Sequence, residues 1–220
     1  MRIINSMSRW AFCLVFLFAG CLGPNVQTAV VSPSRQLPPA WLFSGAGETK
    51  AVRSARYLGK FKVTFYWVVE EKDYPESKST PLYSHDGKLI GRFASGFVKD
   101  FKAESCARLR DGRCLSYLKY QNRAKFVDRF LGHGGYTLAE LKSIAVDPMV
   151  IPLGSKVYIP QMENVNVQGR QLNGVFYAHD VGSAVKGNHI DVFIGVKGNM
   201  AAFALAGVKS SSSVDVYLLE

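Results

Sequence analysis

The chain has 220 residues, 48% of them hydrophobic, with 27 Lys and Arg against 17 Asp and Glu and a net charge of +10. That length holds one ordinary domain plus processing segments. The composition excludes global disorder and low-complexity architectures, and it is rich enough in apolar residues for a real core.

Arg2 and Arg9 form a basic start, and residues 10–20 (WAFCLVFLFAG) are an apolar run. The run is too short to span a bilayer of about 30 Å as a helix, but it suits the hydrophobic region of an export signal. It closes as Leu17-Phe18-Ala19-Gly20-Cys21, which resembles a bacterial lipobox with Cys21 as the lipid-attachment residue, although Phe18 stands where leucine is preferred. Residues 1–20 are therefore expected to be a lipoprotein signal peptide. The rival is an N-terminal anchor helix with an incidental cysteine. Removing Arg2 and Arg9 from the 27 basic residues against 17 acidic ones leaves +8. A basic exported protein suits the cell wall or an anionic membrane surface, and export excludes nucleic acid as a partner. Leu22 lacks the aspartate that retains enterobacterial lipoproteins inside, so the expected location is the outer membrane, facing the periplasm.

Residues 21–57 carry Pro24, Pro33, Pro38 and Pro39 without periodicity and read as a flexible tether, with a short helical turn over 51–58. A strand is expected over 60–70, where Phe61, Val63, Phe65, Trp67 and Val69 alternate with Lys60, Lys62 and Thr64. Residues 71–80 read as a loop. Further strands are expected over 88–99, 114–120, 143–146, 156–159, 165–168, 174–179, 190–194 and 214–218. Thr137 with Glu140 three residues later makes a capping box for a helix over 137–142, and 199–206 reads as a second helix closed by Gly207. Turn signals between the strands suggest a closed β-barrel with short helices, covering 58–220. Cys106 and Cys114 are a candidate disulfide. A two-residue Asp111-Gly112 hairpin would pair Leu109 with Cys114, however, and leave Cys106 out of line.

Three stretches each place an aspartate beside Gly or Pro at a strand end or within one: SIAVDPMVIPLGSKVYIP (143–160) with Asp147, VFYAHDVG (175–182) with Asp180, and VKGNHIDVF (185–193) with Asp191; a closing VDVYLL follows. In 188–194, Ile190, Val192 and Ile194 share one face, and His189, Asp191 and Phe193 the other. Such a carboxylate gains a raised pKa by desolvation, and a nearby Asp180 would raise it further, as a glycosidic acid requires. Taken singly, Asp147 before proline and Asp180 before Val-Gly read as turn residues. His179 should point away from Asp180. Metal binding by His179, His189 and the aspartates lacks the close His pairs of zinc motifs.

These stretches resemble the 3D domain, named for its three aspartates and found at the C-terminus of membrane-bound lytic transglycosylase A. The resemblance has its motif core over 138–220, with 61–69 similar to the family's first barrel strand. It implies a mainly β fold, a six-stranded double-psi β-barrel, and a role in peptidoglycan turnover without a cofactor or metal. It also implies Asp191 as the single catalytic acid/base, with Asp180 beside it and Asp147 structural. Asp147, His189, Gly182, Lys186 and Gly187 would line the groove for the glycan strand. Protonated Asp191 would give its proton to the oxygen between N-acetylmuramic acid and N-acetylglucosamine. It would then take the proton of the muramic 6-hydroxyl as that oxygen closes on C1, leaving a 1,6-anhydro end; one carboxylate serves where hydrolases use two. Two rivals stand beside this. One is a non-catalytic wall-binding or wall-loosening module like the barwin and expansin relatives of the barrel. The other is a muramidase using Asp180 and Asp191 with water. The transglycosylase also has a large second domain inserted in its barrel. Here only the stretch before Leu138 could replace it, and much of that stretch reads as barrel strands.

Overall fold

The computed structural model describes residues 38–39 and 54–220. The expected signal, Cys21 and almost all of the expected tether lie outside the described residues.

The first strand, β1 (Ala55–Glu70), starts where a helical turn was expected. Its alternation decides the architecture: Phe61, Val63 and Phe65 are buried in one apolar cluster, while Tyr66 and Val68 belong to another on the opposite side. The barrel is completed by β7 (Ser143–Ala145), β8 (Lys156–Val167), β9 (Arg170–Asp180), β10 (His189–Val196) and β11 (Ser213–Leu219). Their order is β10-β7-β9-β8-β11-β1, and β1 pairs back onto β10, so the six-stranded sheet closes on itself. Two pairings are parallel, β1 with β10 and β7 with β9, and the remaining four are antiparallel. The strands expected over 156–159 and 165–168 are two ends of the single strand β8.

The interior is filled by β-branched and aromatic side chains from every strand, among them Ile144, Val157, Phe176, Ile190, Val192 and Val216, each 0–1% exposed. Each such side chain contributes about 1.5–3 kcal/mol on leaving water. Helix α2 (Met200–Leu205) lays Phe203 against Phe65, ring centroids 5.0 Å apart. Gly207 follows it at φ +84°, the left-handed conformation that ends a helix.

The helix expected over 137–142 does not form. Thr137 is bridged to Leu131, Leu141 takes φ +61° with its side chain 1% exposed, and Glu140 accepts a hydrogen bond from Asn199. Burial of Leu141 in the barrel core outweighs the local capping signal.

The segment between β1 and β7 builds outside the barrel, contrary to the expectation of barrel strands there. The last residues of β1, Val69 and Glu70, pair in parallel with β4 (Cys106–Arg108). Strands β5 (Cys114–Leu118) and β6 (Arg123–Val127) continue that sheet outward. The strand expected over 88–99 is only β3 (Leu89–Phe93), paired with β2 (Thr80–Tyr83), which starts at the last residue of the expected loop. It is followed by helix α1 (Ser95–Glu104), whose Phe97, Val98 and Phe101 pack under this sheet.

Cys106 and Cys114 end on neighbouring strands. Gly112 donates to the Leu109 carbonyl and Leu109 to the Arg113 carbonyl, which makes the loop longer than the expected two-residue turn. Cys106 then faces Ser116 and Cys114 faces Arg108, so both cysteines share a face beside one apolar cluster. Both are free thiols, and burial pushes Cys106 up to about 12, which leaves it an inert thiol.

Candidate functional site

Strand β10 has two unlike faces. Ile190, Val192 and Ile194 fill the barrel, and the residues between them, His189, Asp191 and Phe193, are presented outward. The parallel register with β1 sets Thr64 beside Asp191 and Lys62 beside His189. Thr64 Oγ1 lies 2.8 Å from Asp191 Oδ1 and 2.9 Å from His189 Nε2. Asp191 is pushed above the ordinary aspartate value. Burial is the main cause, Asp180 adds to it, and Thr64, His189 and Lys62 oppose it.

Asp180 reaches the same outer face through an irregularity in β9. Ile144 pairs with Ala178 but Ala145 pairs with Asp180, so His179 is one residue too many for its partner strand. Without that bulge the alternation of Phe176 and Ala178, both buried in the barrel, would carry Asp180 inward as well. Its carboxylate accepts the backbone N–H of His133 at 3.0 Å and of Val181 at 2.9 Å, and the hydroxyl of Tyr66 at 3.3 Å. Burial nevertheless outweighs these donors and raises its pKa. Tyr66 is itself held well above the ordinary tyrosine value by burial and by Asp180, so its hydroxyl stays a donor.

His133 is delivered by a loop that fits only without a side chain at Gly132, where a Cβ would stand 2.2 Å from the His179 carbonyl oxygen. Tyr136 clamps the same loop by stacking on His179, 5.0 Å between centroids and 5° between planes. His179 Nδ1 lies 2.9 Å from Ser143 Oγ. It also stacks on Tyr177, 5.4 Å between centroids, and the bulge breaks the simple alternation that was expected to set His179 and Asp180 on opposite faces.

Asp147 stands apart from this pair. Its Oδ1 accepts the Met149 N–H at 3.0 Å and its Oδ2 the Gly187 N–H at 2.8 Å. Those two bonds hold its carboxyl below the ordinary range. It thereby ties the turn after β7 to the loop before β10, which carries Gly182, the exposed Lys186 and Gly187. Of the sequence-predicted residues, the fold therefore gathers Asp191, Asp180 and His189 on one face. It uses Asp147 and Gly187 to fix the adjoining loop.

Four contributors were not foreseen. Thr64 and Tyr66 hold one aspartate each, and the His133 backbone holds Asp180. The fourth is Glu104, at the end of α1, which accepts the Trp67 N–H at 3.4 Å and has no ion pair among the described residues. Burial first, then the charge of Asp191 and Asp100, pushes Glu104 up to about 7. Residues 64, 66 and 67 of β1 thus each hold one acid. The polar positions of 60–70 gave a signal for Thr64, but nothing local links 104 to 191. The outer sheet also meets the barrel loop: Lys119 Nζ donates to Ser183 Oγ at 2.9 Å. Among the described residues, no group of three or more His, Cys, Asp or Glu could hold a metal ion.

Residues 142–220 match the family model described as the 3D domain. The chain is 48% identical over 71 residues to the cell wall-binding protein YocH of Bacillus subtilis (strain 168), covering 32% of this chain and 20% of that protein. It is 56% identical over 52 residues to YabE of the same organism, covering 24% and 10%. The chain thus spans a fifth or less of the length of these curated relatives. Among solved structures, the crystal structure of Escherichia coli MltA with bound chitohexaose superposes with a TM-score of 0.53 at 14% identity, covering 74% of this chain and 72% of that one. At that identity the likeness is one of fold. Residues 142–220, which match the 3D domain model, form five of the six strands of a closed barrel that shares its fold with MltA.

Proposed function

We propose that this protein is a lytic transglycosylase-like enzyme of peptidoglycan turnover, with Asp191 as acid/base and Asp180 as its supporting neighbour. The observation that carries the reading is the outward, desolvated Asp191, paired with Asp180 on a barrel of the MltA fold. An acid held above its ordinary pKa keeps a proton for the leaving glycosidic oxygen, and its carboxylate then accepts the proton of the muramic 6-hydroxyl. Asp180, fixed by three donors, is poorly placed to abstract a proton itself. It keeps negative charge near Asp191 and near the oxocarbenium-like carbon formed as the bond breaks. The outer sheet, bridged to the barrel loop through Lys119 and Ser183, is the proposed second wall for the glycan strand. On this reading the chain is exported and lipid-anchored through Cys21 to the envelope, expected at the outer membrane, with peptidoglycan as its partner.

The test is digestion of purified sacculi by the full chain, with products resolved by mass spectrometry. The reading expects 1,6-anhydromuropeptides that disappear with Asp191→Asn; reducing ends in their place would identify a muramidase. A second reading, wall binding without cleavage, is favoured by the 48% identity to a protein named as cell wall-binding. It expects sacculus pull-down that Asp191→Asn leaves intact, and no released product.

A further inference from the structure

The hydrogen bonds at Asp191 form a line of four groups. Asp191 Oδ1 lies 2.8 Å from Thr64 Oγ1, Thr64 Oγ1 lies 2.9 Å from His189 Nε2, and His189 Nδ1 lies 3.2 Å from the Ala184 carbonyl oxygen. The carbonyl can only accept, so Nδ1 carries a hydrogen. Thr64 has one hydrogen and two neighbours, so it cannot donate to both.

Counting protons along the line leaves two complete arrangements. In the first, protonated Asp191 donates to Thr64, Thr64 donates to a neutral His189 at Nε2, and Nδ1–H donates to Ala184. In the second, His189 is an imidazolium that donates at both nitrogens, and Thr64 turns round to donate to the Asp191 carboxylate. Both hold the same single proton. With it removed, Thr64 can donate to only one neighbour, and either His189 Nε2 or the Asp191 carboxylate faces a Thr64 lone pair unsatisfied. With a second one added, both ends donate to Thr64 and its own hydrogen has no acceptor in the line.

We propose that Thr64 and His189 are positioning residues that form a proton relay to Asp191, storing the acid's proton on the imidazole and returning it through the threonine hydroxyl. In the transfer, the proton on His189 Nε2 moves to Thr64 Oγ1 as the Thr64 proton moves to Asp191 Oδ1. Only N–H and O–H bonds change, and the opposite charges at the two ends cancel. The proposal rests on Asp191 being the acid of the site. The parallel pairing supplies the geometry, because it holds residues 62 and 64 of β1 level with 189 and 191 of β10. The other charged groups facing the line are Lys62 on β1, Asp180 at the end of β9 and Glu104 at the end of α1.

Nitrogen-15 NMR of the His189 ring in the full chain tests the relay without relying on turnover. Neutral His189 is expected as the Nδ1–H tautomer. Asp191→Asn and Thr64→Val are each expected to shift the Nε2 resonance, since each alters the hydrogen bonding at that end of the line, and Thr64→Ser, which keeps the hydroxyl, should restore it. An Nε2 resonance unmoved by Asp191→Asn, or an Nε2–H tautomer in the unmodified chain, would overturn the relay. In sacculus digestion, Thr64→Val should cut the release rate about tenfold and narrow the pH profile on its basic side, with Thr64→Ser recovering both. An Nε2 resonance that responds to both variants in a chain that releases no product would retain the relay and overturn the catalytic reading instead.

Discussion

The two faces of β10 show how one strand serves opposite ends. Inward, Ile190, Val192 and Ile194 are each 0% exposed in an apolar interior closed on all sides by the sheet. Outward, His189 and Asp191 stand on the same backbone within hydrogen-bond reach of Thr64 and beside Asp180. The inner face stabilises the fold, and the outer face costs stability. Asp180 and Asp191, with folded pKa values above their ordinary ones, bind protons more tightly when folded than when unfolded. Their contribution therefore falls as pH rises from the ordinary aspartate range through the raised values. A rigid interior lets the barrel tolerate an unfavourable cluster on its surface.

Four substitutions break or sharpen this contrast. Asp191→Asn is expected to cut anhydromuropeptide release by about 10²–10⁴-fold. The same change should raise the melting temperature at pH 7, since it removes a desolvated charge. Calorimetry beside the digestion assay checks both; a variant that melts lower and stays active would reverse the assignment of the two faces. Ile190→Ala, one residue away on the inner face, is expected to cost about 2–5 kcal/mol in denaturant unfolding. Asp147→Ala should lower the unfolding midpoint modestly by releasing the Met149 and Gly187 N–H groups that tie the two loops together. Because its folded pKa is depressed, that contribution is present above the ordinary aspartate range and lost as pH falls through the lowered value. The gap between Asp147→Ala and the unmodified chain should therefore close in acid. Glu104→Gln has the smallest effect. With a folded value of about 7, Glu104 weakens the fold as pH rises from the ordinary glutamate range to neutrality, so the variant's melting temperature should fall less than that of the unmodified chain between pH 5 and 8.

Much of this was legible in the sequence because the barrel strands carry their own period. The alternation of 60–70 and of 188–194 identified β1, β10 and the outward position of Asp191, and Gly207 marked the end of α2. What escaped was decided by distant contacts. The Thr137–Glu140 capping box lost to burial of Leu141 and to the Asn199–Glu140 bond. The first turn of helix α1 carries Ser95, Gly96, Phe97 and Val98, residues of low helix propensity, and the helix forms because Phe97 and Phe101 are 0% exposed under the outer sheet. Asp180 looked like an ordinary turn residue, since the bulge that turns it outward is a matter of register against β7. Thr64 and Glu104 enter through strand pairing and the outer sheet, which no spacing along the chain reveals.

The central claim is that two aspartates of one motif set are driven in opposite directions, Asp191 toward holding its proton and Asp147 toward losing it. Carbon-13 NMR titration of the side-chain carboxyls, assigned through Asp191→Asn and Asp147→Asn, measures this directly. The account predicts Asp191 above the ordinary aspartate value and Asp147 below it. An Asp191 that titrates at or below Asp147 would contradict it.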